Sequence, residues 1–314
     1  MKKITACFCA MVLLLTAFAG CGSSFQYEFD LENASVAIYG DTESGYDFLT
    51  LTAESNPFEV QEYYQEDIPQ TRTFTLLGEE LVGEYLMTVQ YAEADRESYV
   101  YKVQGSEYGK ILVDVNTDKV VKYHMIPFNF PAMTSEEEYL AYAEEAWKEM
   151  GSFDVDAYDL IRSTRYEHEF TSYEGFSTER VDEFYIPTEN DTILRYGFNY
   201  NILCDGVKLP GYITAHFFLD EEDPLITFEM CPAEHKNSAY KAVLDQMDEI
   251  EEKAEQNIMQ RLNDGVILQK IEHKKKEIFV RDGKPYVKFT SEITFLTNAS
   301  ATNEFISIIE TIIG

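Results

Sequence analysis

Residues 277–290 read Glu-Ile-Phe-Val-Arg-Asp-Gly-Lys-Pro-Tyr-Val-Lys-Phe-Thr. Asp282 and Gly283 lie between two runs rich in β-branched and aromatic residues, and an Asp-Gly pair in that setting is typical of a two-residue hairpin turn. The pattern predicts antiparallel strands over 277–281 and 285–296, preceded by another strand over 266–273. At the end of the chain, residues 304–313 form an Ile-rich run too short for periodicity to separate helix from strand, so both interpretations stay open.

Two amphipathic helices are predicted upstream of this hairpin. The first covers 135–150, where Ser135 and Glu138 form a capping box and Gly151 supplies a C-cap. The second covers 238–263, with apolar residues three and four positions apart. Because antiparallel strands are predicted after each helix, the expected fold class is α+β, with two amphipathic helices packed on antiparallel sheets.

Proline-containing breaks near 127–134 and 232 divide the chain into regions. The expected organisation is a leader over 1–20, a β-rich region over 21–130, one α+β unit over 131–231 and another over 232–314. The last two regions share a plan of helix followed by antiparallel strands, which leaves open that they are related units.

The first residues have the pattern of an export signal. Lys2 and Lys3 precede an apolar run over 4–19, and small residues lead up to Cys21. Sixteen residues are fewer than the ~20 that a helix needs to cross a bilayer. The segment Phe18-Ala19-Gly20-Cys21 resembles the lipobox of bacterial lipoproteins. This resemblance implies that Cys21 is lipidated after cleavage and that the protein is anchored on the extracytoplasmic face of the cell membrane.

A second resemblance concerns the strand pair predicted over 110–123. Its sequence, Lys-Ile-Leu-Val-Asp-Val-Asn-Thr-Asp-Lys-Val-Val-Lys-Tyr, is similar to the closing hairpin of PepSY-type domains, although Lys119 occupies the turn position where glycine is usual. The resemblance covers fourteen residues and implies peptide binding or modulation of a peptidase.

Charge is the strongest compositional feature. The chain carries 57 acidic and 25 basic side chains, for a formal net charge of −32. A body this acidic repels nucleic acid and anionic head groups, so nucleic-acid binding and flat adsorption to the bilayer are excluded, and the expected membrane contact is the lipid anchor alone.

One basic patch departs from this trend, and its members are Lys270, Lys274, Lys275, Lys276, Arg281, Lys284 and Lys288. It is interpreted either as a docking patch for an anionic partner such as a wall polymer, or as a sheet face paired with the acidic helix that precedes it. The second interpretation follows from the adjacency of the two segments in sequence.

Two cysteines remain outside the leader and the anchor. Strands over 195–204, 212–219 and 225–231 are predicted to form a meander that places Cys204 and Cys231 on its outer strands. Strands lie ~4.8 Å apart, so two thiols with a strand between them exceed the ~7 Å limit for a disulfide. Both cysteines are therefore expected to be buried thiols.

Local motifs indicate no chemistry. The sequence contains no His-Glu-x-x-His pair, no Cys-x-x-Cys and no Gly-x-Ser-x-Gly, so no catalytic, cofactor-binding or metal-binding residue is nominated. The sequence therefore favours a lipid-anchored binding module of the cell envelope, with a peptide, a protein or a wall component as ligand. An envelope hydrolase with a dispersed site and a structural spacer are the alternatives. A pocket that combines histidine with carboxylates of shifted pKa would indicate the hydrolase, and a groove without them would indicate binding.

Overall fold

The computed structural model describes residues 26–40, 48–52, 60–91, 96–127, 133, 135–151, 172–173, 176–180, 183–185, 194–219, 225–231, 237–298 and 300–314. The leader and Cys21 lie outside these residues.

The described residues form sixteen strands and three helices. The strands are β1 (Val36–Gly40), β2 (Gln61–Tyr63), β3 (Thr71–Leu76), β4 (Glu79–Tyr91), β5 (Arg96–Val103), β6 (Lys110–Asp114), β7 (Val120–Pro127), β8 (Ser172–Tyr173), β9 (Phe176–Arg180), β10 (Glu183–Tyr185), β11 (Leu194–Cys204), β12 (Val207–Leu219), β13 (Leu225–Cys231), β14 (Val266–Arg281), β15 (Lys284–Thr297) and β16 (Ser300–Ile313). The helices are α1 (Glu136–Met150), α2 (Asn237–Leu244) and α3 (Met247–Gln260).

All sixteen strands belong to one mixed sheet, whose main path is β1-β16-β15-β14-β12-β13-β7-β6-β5-β4-β2. Off this path, β3 pairs with β4, β11 with β12, β9 and β10 with β11, and β8 with β9. Paired strands are antiparallel except β12 and β14, which are parallel and meet at the residue pair Lys208–Glu277. Within the described ranges, this one contact joins the C-terminal strands and β1 to the rest of the sheet.

The predicted α+β class, with two amphipathic helices packed on antiparallel sheets, is wrong. The protein is mainly β, and strands from all three predicted regions are hydrogen-bonded to one another. β7 pairs with β13, and the early strand β1 pairs with the last strand β16. The physical reason is that strand edges leave unpaired backbone groups, and edges distant in sequence satisfy each other here.

The predicted helix over 238–263 is also interrupted. It is split into α2 and α3 around residues 245–246, where Gln246 has φ −103° and ψ 5°. At the break, the Gln246 side-chain amide donates to the carbonyls of Ala242 and Phe29, at 2.8 and 3.4 Å. The nearby Lys253 ammonium donates to the carbonyls of Leu31 and Ala34. The two short helices therefore follow the N-terminal segment that runs beside them.

Several local predictions agree with the structure. Asp282 and Gly283 both have positive φ, at 53° and 71°, and they join β14 to β15 as the predicted hairpin. Helix α1 begins after Ser135, whose hydroxyl accepts from the Glu138 amide, and it ends at Gly151 with φ 68°. The Ile-rich end of the chain is a strand, β16. Among the described residues, no helix combines the length and apolar character needed to cross a bilayer.

Two main cores hold the sheet. Helix α1 buries Trp147 against strands of the middle region, and the indole N–H donates to the Thr214 carbonyl at 3.0 Å. Helices α2 and α3 cover a second core with Val287 and Phe289 of β15. Cys204 and Cys231 are buried thiols, as expected from the meander β11-β12-β13.

Candidate functional site

A groove with a volume of about 590 Å³ lies between the β11–β12 hairpin and the middle of β14. It forms where the two parts of the sheet diverge from the parallel contact at Lys208 and Glu277. Its described lining residues are polar or charged apart from a leucine and a glycine, and they are Asn199, Asn201, Leu203, Gly206, Lys208, Thr214, Lys274, Lys275, Lys276 and Glu277.

The floor of the groove is the sheet face opposite α1. Side chains alternate between faces along a strand, and Phe198, Tyr200 and Ile213 point into the cores. Asn199 and Thr214 are paired in register between β11 and β12, so both lie on the other face. The floor therefore presents amide and hydroxyl groups that can donate and accept hydrogen bonds.

The wall of the groove is basic. Lys274 pairs with Glu272 at 2.7 Å, and Lys276 pairs with Glu251 of α3. Lys275 is exposed and forms no ion pair with a described residue. Neither Glu272 nor Glu251 lines the groove, but each offsets the charge of the lysine with which it pairs.

Glu277 is the lining carboxylate. Its oxygens lie 3.0 Å from Lys208 Nζ and 3.2 Å from Lys288 Nζ. Burial raises the pKa of Glu277, but the charges of the two lysines outweigh burial and lower the pKa below its ordinary value. The carboxylate is therefore ionised at neutral pH and already neutralised, and four lining ammonium groups against this one carboxylate leave the lining at +3.

A buried polar network continues the same sheet face. Glu229 on β13 is paired in register with Thr214, so their side chains share the face of the groove floor. The Glu229 carboxylate accepts from Lys122 Nζ at 2.7 Å and from the Tyr212 hydroxyl at 2.8 Å, and it lies 3.3 Å from the Arg96 guanidinium. One carboxylate thus connects β5, β7, β12 and β13.

Burial makes this network sensitive to any change in charge. The side chains of Arg96 and Glu229 are 2% and 8% exposed. Burial raises the pKa of Glu229, but Lys122 and Arg96 together hold it below its ordinary value, so the group is charged. Arg96 also donates to the Met230 carbonyl at 3.1 Å and lies 4.5 Å from the centroid of the Tyr91 ring, a cation–π contact. The network joins β12, which carries part of the groove floor, to β5, β7 and β13.

The predicted basic patch is divided by the structure. Lys274, Lys275 and Lys276 line the groove, whereas Lys288 lies behind Glu277. The other members lie elsewhere on β14 and β15: Lys270 pairs with Glu272 at 2.5 Å, and Arg281 and Lys284 flank the hairpin turn.

Sequence reasoning missed the groove floor, Lys208 and the Glu229 network. A signal for the network did exist, because Glu229 is an isolated charge within an apolar strand, as Lys122 is in β7. A charge in a buried strand requires a partner. The alternation of Asn199 and Asn201 with apolar residues likewise indicated a polar face.

No family model, no curated protein and no solved structure matches this chain.

Proposed function

We propose that the protein is a lipid-anchored, extracytoplasmic binding protein of the cell envelope that holds an anionic wall polymer in the groove. The observation that carries the proposal is the lining itself, in which Lys208, Lys274, Lys275 and Lys276 surround amide and hydroxyl groups in a chain of net charge −32. Ammonium groups with neighbouring donors are suited to phosphate or carboxylate oxygens.

The local charge outweighs the global charge at the distance of a bound ligand. The Debye length is about 8 Å at physiological ionic strength, so acidic groups farther away than that are largely screened. The lining residues alone carry a balance of +3, and the paired carboxylates Glu251 and Glu272, which lie within this length, reduce it to +1. Repulsion by the acidic body then disfavours anions elsewhere on the surface and favours this groove.

The lining also supports binding in preference to hydrolysis. Among the described lining residues there is no histidine or thiol, and the carboxylate of Glu277 forms ion pairs with Lys208 and Lys288. The arrangement offers hydrogen bonds and positive charge but no nucleophile activated by a base.

The double variant Lys274→Gln/Lys275→Gln tests this function. Fluorescence anisotropy with labelled short-chain polyphosphate is expected to show binding by the wild-type protein. Binding by the variant is expected to be about 10- to 30-fold weaker, because each lysine near an anionic surface contributes about 1 kcal/mol of binding free energy. The slope of log affinity against log salt is expected to become shallower by about one for each contact removed.

A matched control is available outside the groove. Lys119 and Lys284 are exposed at turns, and Lys119→Gln/Lys284→Gln changes the net charge by the same amount. This control is expected to bind polyphosphate like the wild type, and a neutral glycan is expected not to compete. Equal losses in both double variants would mean that the protein senses only overall charge, and the groove would not be the binding site.

A further inference from the structure

A second group of polar side chains lies beside the groove, between α3 and β14. Glu251 and Glu255 are one turn apart on α3, so their carboxylates lie on the same face of the helix. His273 of β14 faces them, and its Nε2 lies 3.9 Å from Glu251 Oε1 and 3.7 Å from Glu255 Oε1. The three ligand atoms lie within 4.8 Å of one another.

The imidazole of His273 is buried and held in place. Its side chain is 3% exposed, and its ring packs on Phe289 with 4.7 Å between the ring centroids. Nδ1 lies 2.7 Å from Ser291 Oγ, whereas Nε2 has no hydrogen-bond partner. A buried nitrogen that is aimed at two carboxylates without a bond to either lacks the group that would satisfy it.

The hydrogen bond to Ser291 determines which ring nitrogen faces the two carboxylates. In the tautomer that donates Nδ1–H to Ser291, the lone pair of Nε2 points towards two negative carboxylates. A cation placed among the three groups turns this repulsion into attraction.

We propose that Glu251, Glu255 and His273 bind a divalent transition-metal cation of the zinc class. One imidazole nitrogen and two carboxylate oxygens form a ligand set that zinc accepts, and metal–ligand bonds of about 2.1 Å place tetrahedral ligands about 3.4 Å apart. The observed 3.7 and 3.9 Å need only a small closure around the ion. Three protein ligands leave the fourth position for water or another ligand.

The groups around the site orient its ligands. Ser291 fixes His273 through Nδ1, as the outer partner of a metal-bound imidazole does. Lys276 holds Oε2 of Glu251, which leaves Oε1 directed at His273. The two carboxylates and the lysine carry a net charge of −1, so binding of a divalent cation changes the local charge to +1.

Cobalt is a suitable probe because Co²⁺ occupies zinc sites and absorbs visible light. The full-length protein, purified in detergent and treated with a chelator, is expected to bind one equivalent of Co²⁺ and to release it to Zn²⁺. Glu255→Gln and His273→Asn are each expected to weaken Co²⁺ binding by at least about tenfold, and Ser291→Ala by about tenfold through loss of orientation.

Glu249→Gln is the matched control, because Glu249 is an exposed residue of the same helix outside the cluster and the substitution removes the same charge. Circular dichroism of each variant separates loss of a ligand from loss of the fold. If His273→Asn does not fold, Glu255→Gln tests the site by itself. This substitution keeps the size of the side chain on a partly exposed helix face, so the fold is expected to be retained. Absence of saturable Co²⁺ binding by the wild type, or equal weakening by Glu249→Gln and Glu255→Gln, would overturn the proposal.

Discussion

Glu229→Met is expected to lower the free energy of unfolding by about 3–5 kcal/mol, because it removes one partner of a buried ion pair and leaves a charge uncompensated. The stranded group is the Arg96 guanidinium, which is 2% exposed and keeps only the Met230 carbonyl and the Tyr91 ring as partners among the described residues. In a thermal melt followed by circular dichroism, the midpoint is expected to fall by on the order of 10 °C.

Removal of the other partner, Arg96, is expected to lower the free energy of unfolding by less. In Arg96→Met, Glu229 keeps its hydrogen bonds from Lys122 and Tyr212. The double variant Arg96→Met/Glu229→Met is expected to be more stable than Glu229→Met alone, because the half-buried Lys122 can move its ammonium to water whereas Arg96 cannot.

An exposed glutamate provides the control for this series. Glu80 on β4 is exposed, and Glu80→Met is expected to change stability by no more than about 0.5 kcal/mol. If Glu229→Met melted at the wild-type temperature, the network would not stabilise the strands that it joins.

Cys21→Ala is expected to abolish labelling of the protein by palmitate. The expectation rests on the lipobox-like segment that ends at Cys21, since each buried methylene of an acyl chain contributes about 0.8 kcal/mol and two or more chains anchor a protein stably. Metabolic labelling followed by separation of membrane and soluble fractions measures both the modification and the location.

A cysteine of the leader serves as the control for the anchor. Cys9→Ala lies within the apolar run and is expected to leave the palmitate label and the membrane location unchanged. Label that persists in Cys21→Ala would remove this thiol as the anchor.

Local signals in the sequence predicted local structure well. The capping residues Ser135 and Gly151 place α1 correctly, and the Asp282-Gly283 pair places the β14–β15 hairpin. Both features depend on residues within a few positions of one another, where backbone preference and capping chemistry decide the conformation.

The sheet as a whole could not be predicted in this way. The pairing of β1 with β16 joins residues at opposite ends of the chain, and the contact of β12 with β14 depends on a single pair, Lys208 and Glu277. Periodicity identifies strands but does not identify their partners. The predicted α+β class failed because it assigned strands to separate sheets by their order in the sequence.

The same distinction between local signals and long-range pairing applies to the residues of the candidate site. The run Lys274 to Lys276 was visible in the sequence as a basic patch, and these three lysines line the groove. Asn199 belongs to the same site only because β12 pairs with both β11 and β14. His273 likewise meets Glu251 only through the packing of α3 on β14, so spacing along the chain gave no sign of that cluster.

Hydrogen–deuterium exchange with and without short-chain polyphosphate tests most directly whether an anionic polymer occupies the groove. Bound polymer is expected to slow exchange in peptides from 199–214 and 270–277, which carry the floor and the wall. Peptides from α1, on the opposite face of the sheet, are expected to exchange at the same rate in both samples. Saturable binding with protection elsewhere and none in these two segments would contradict the proposed site.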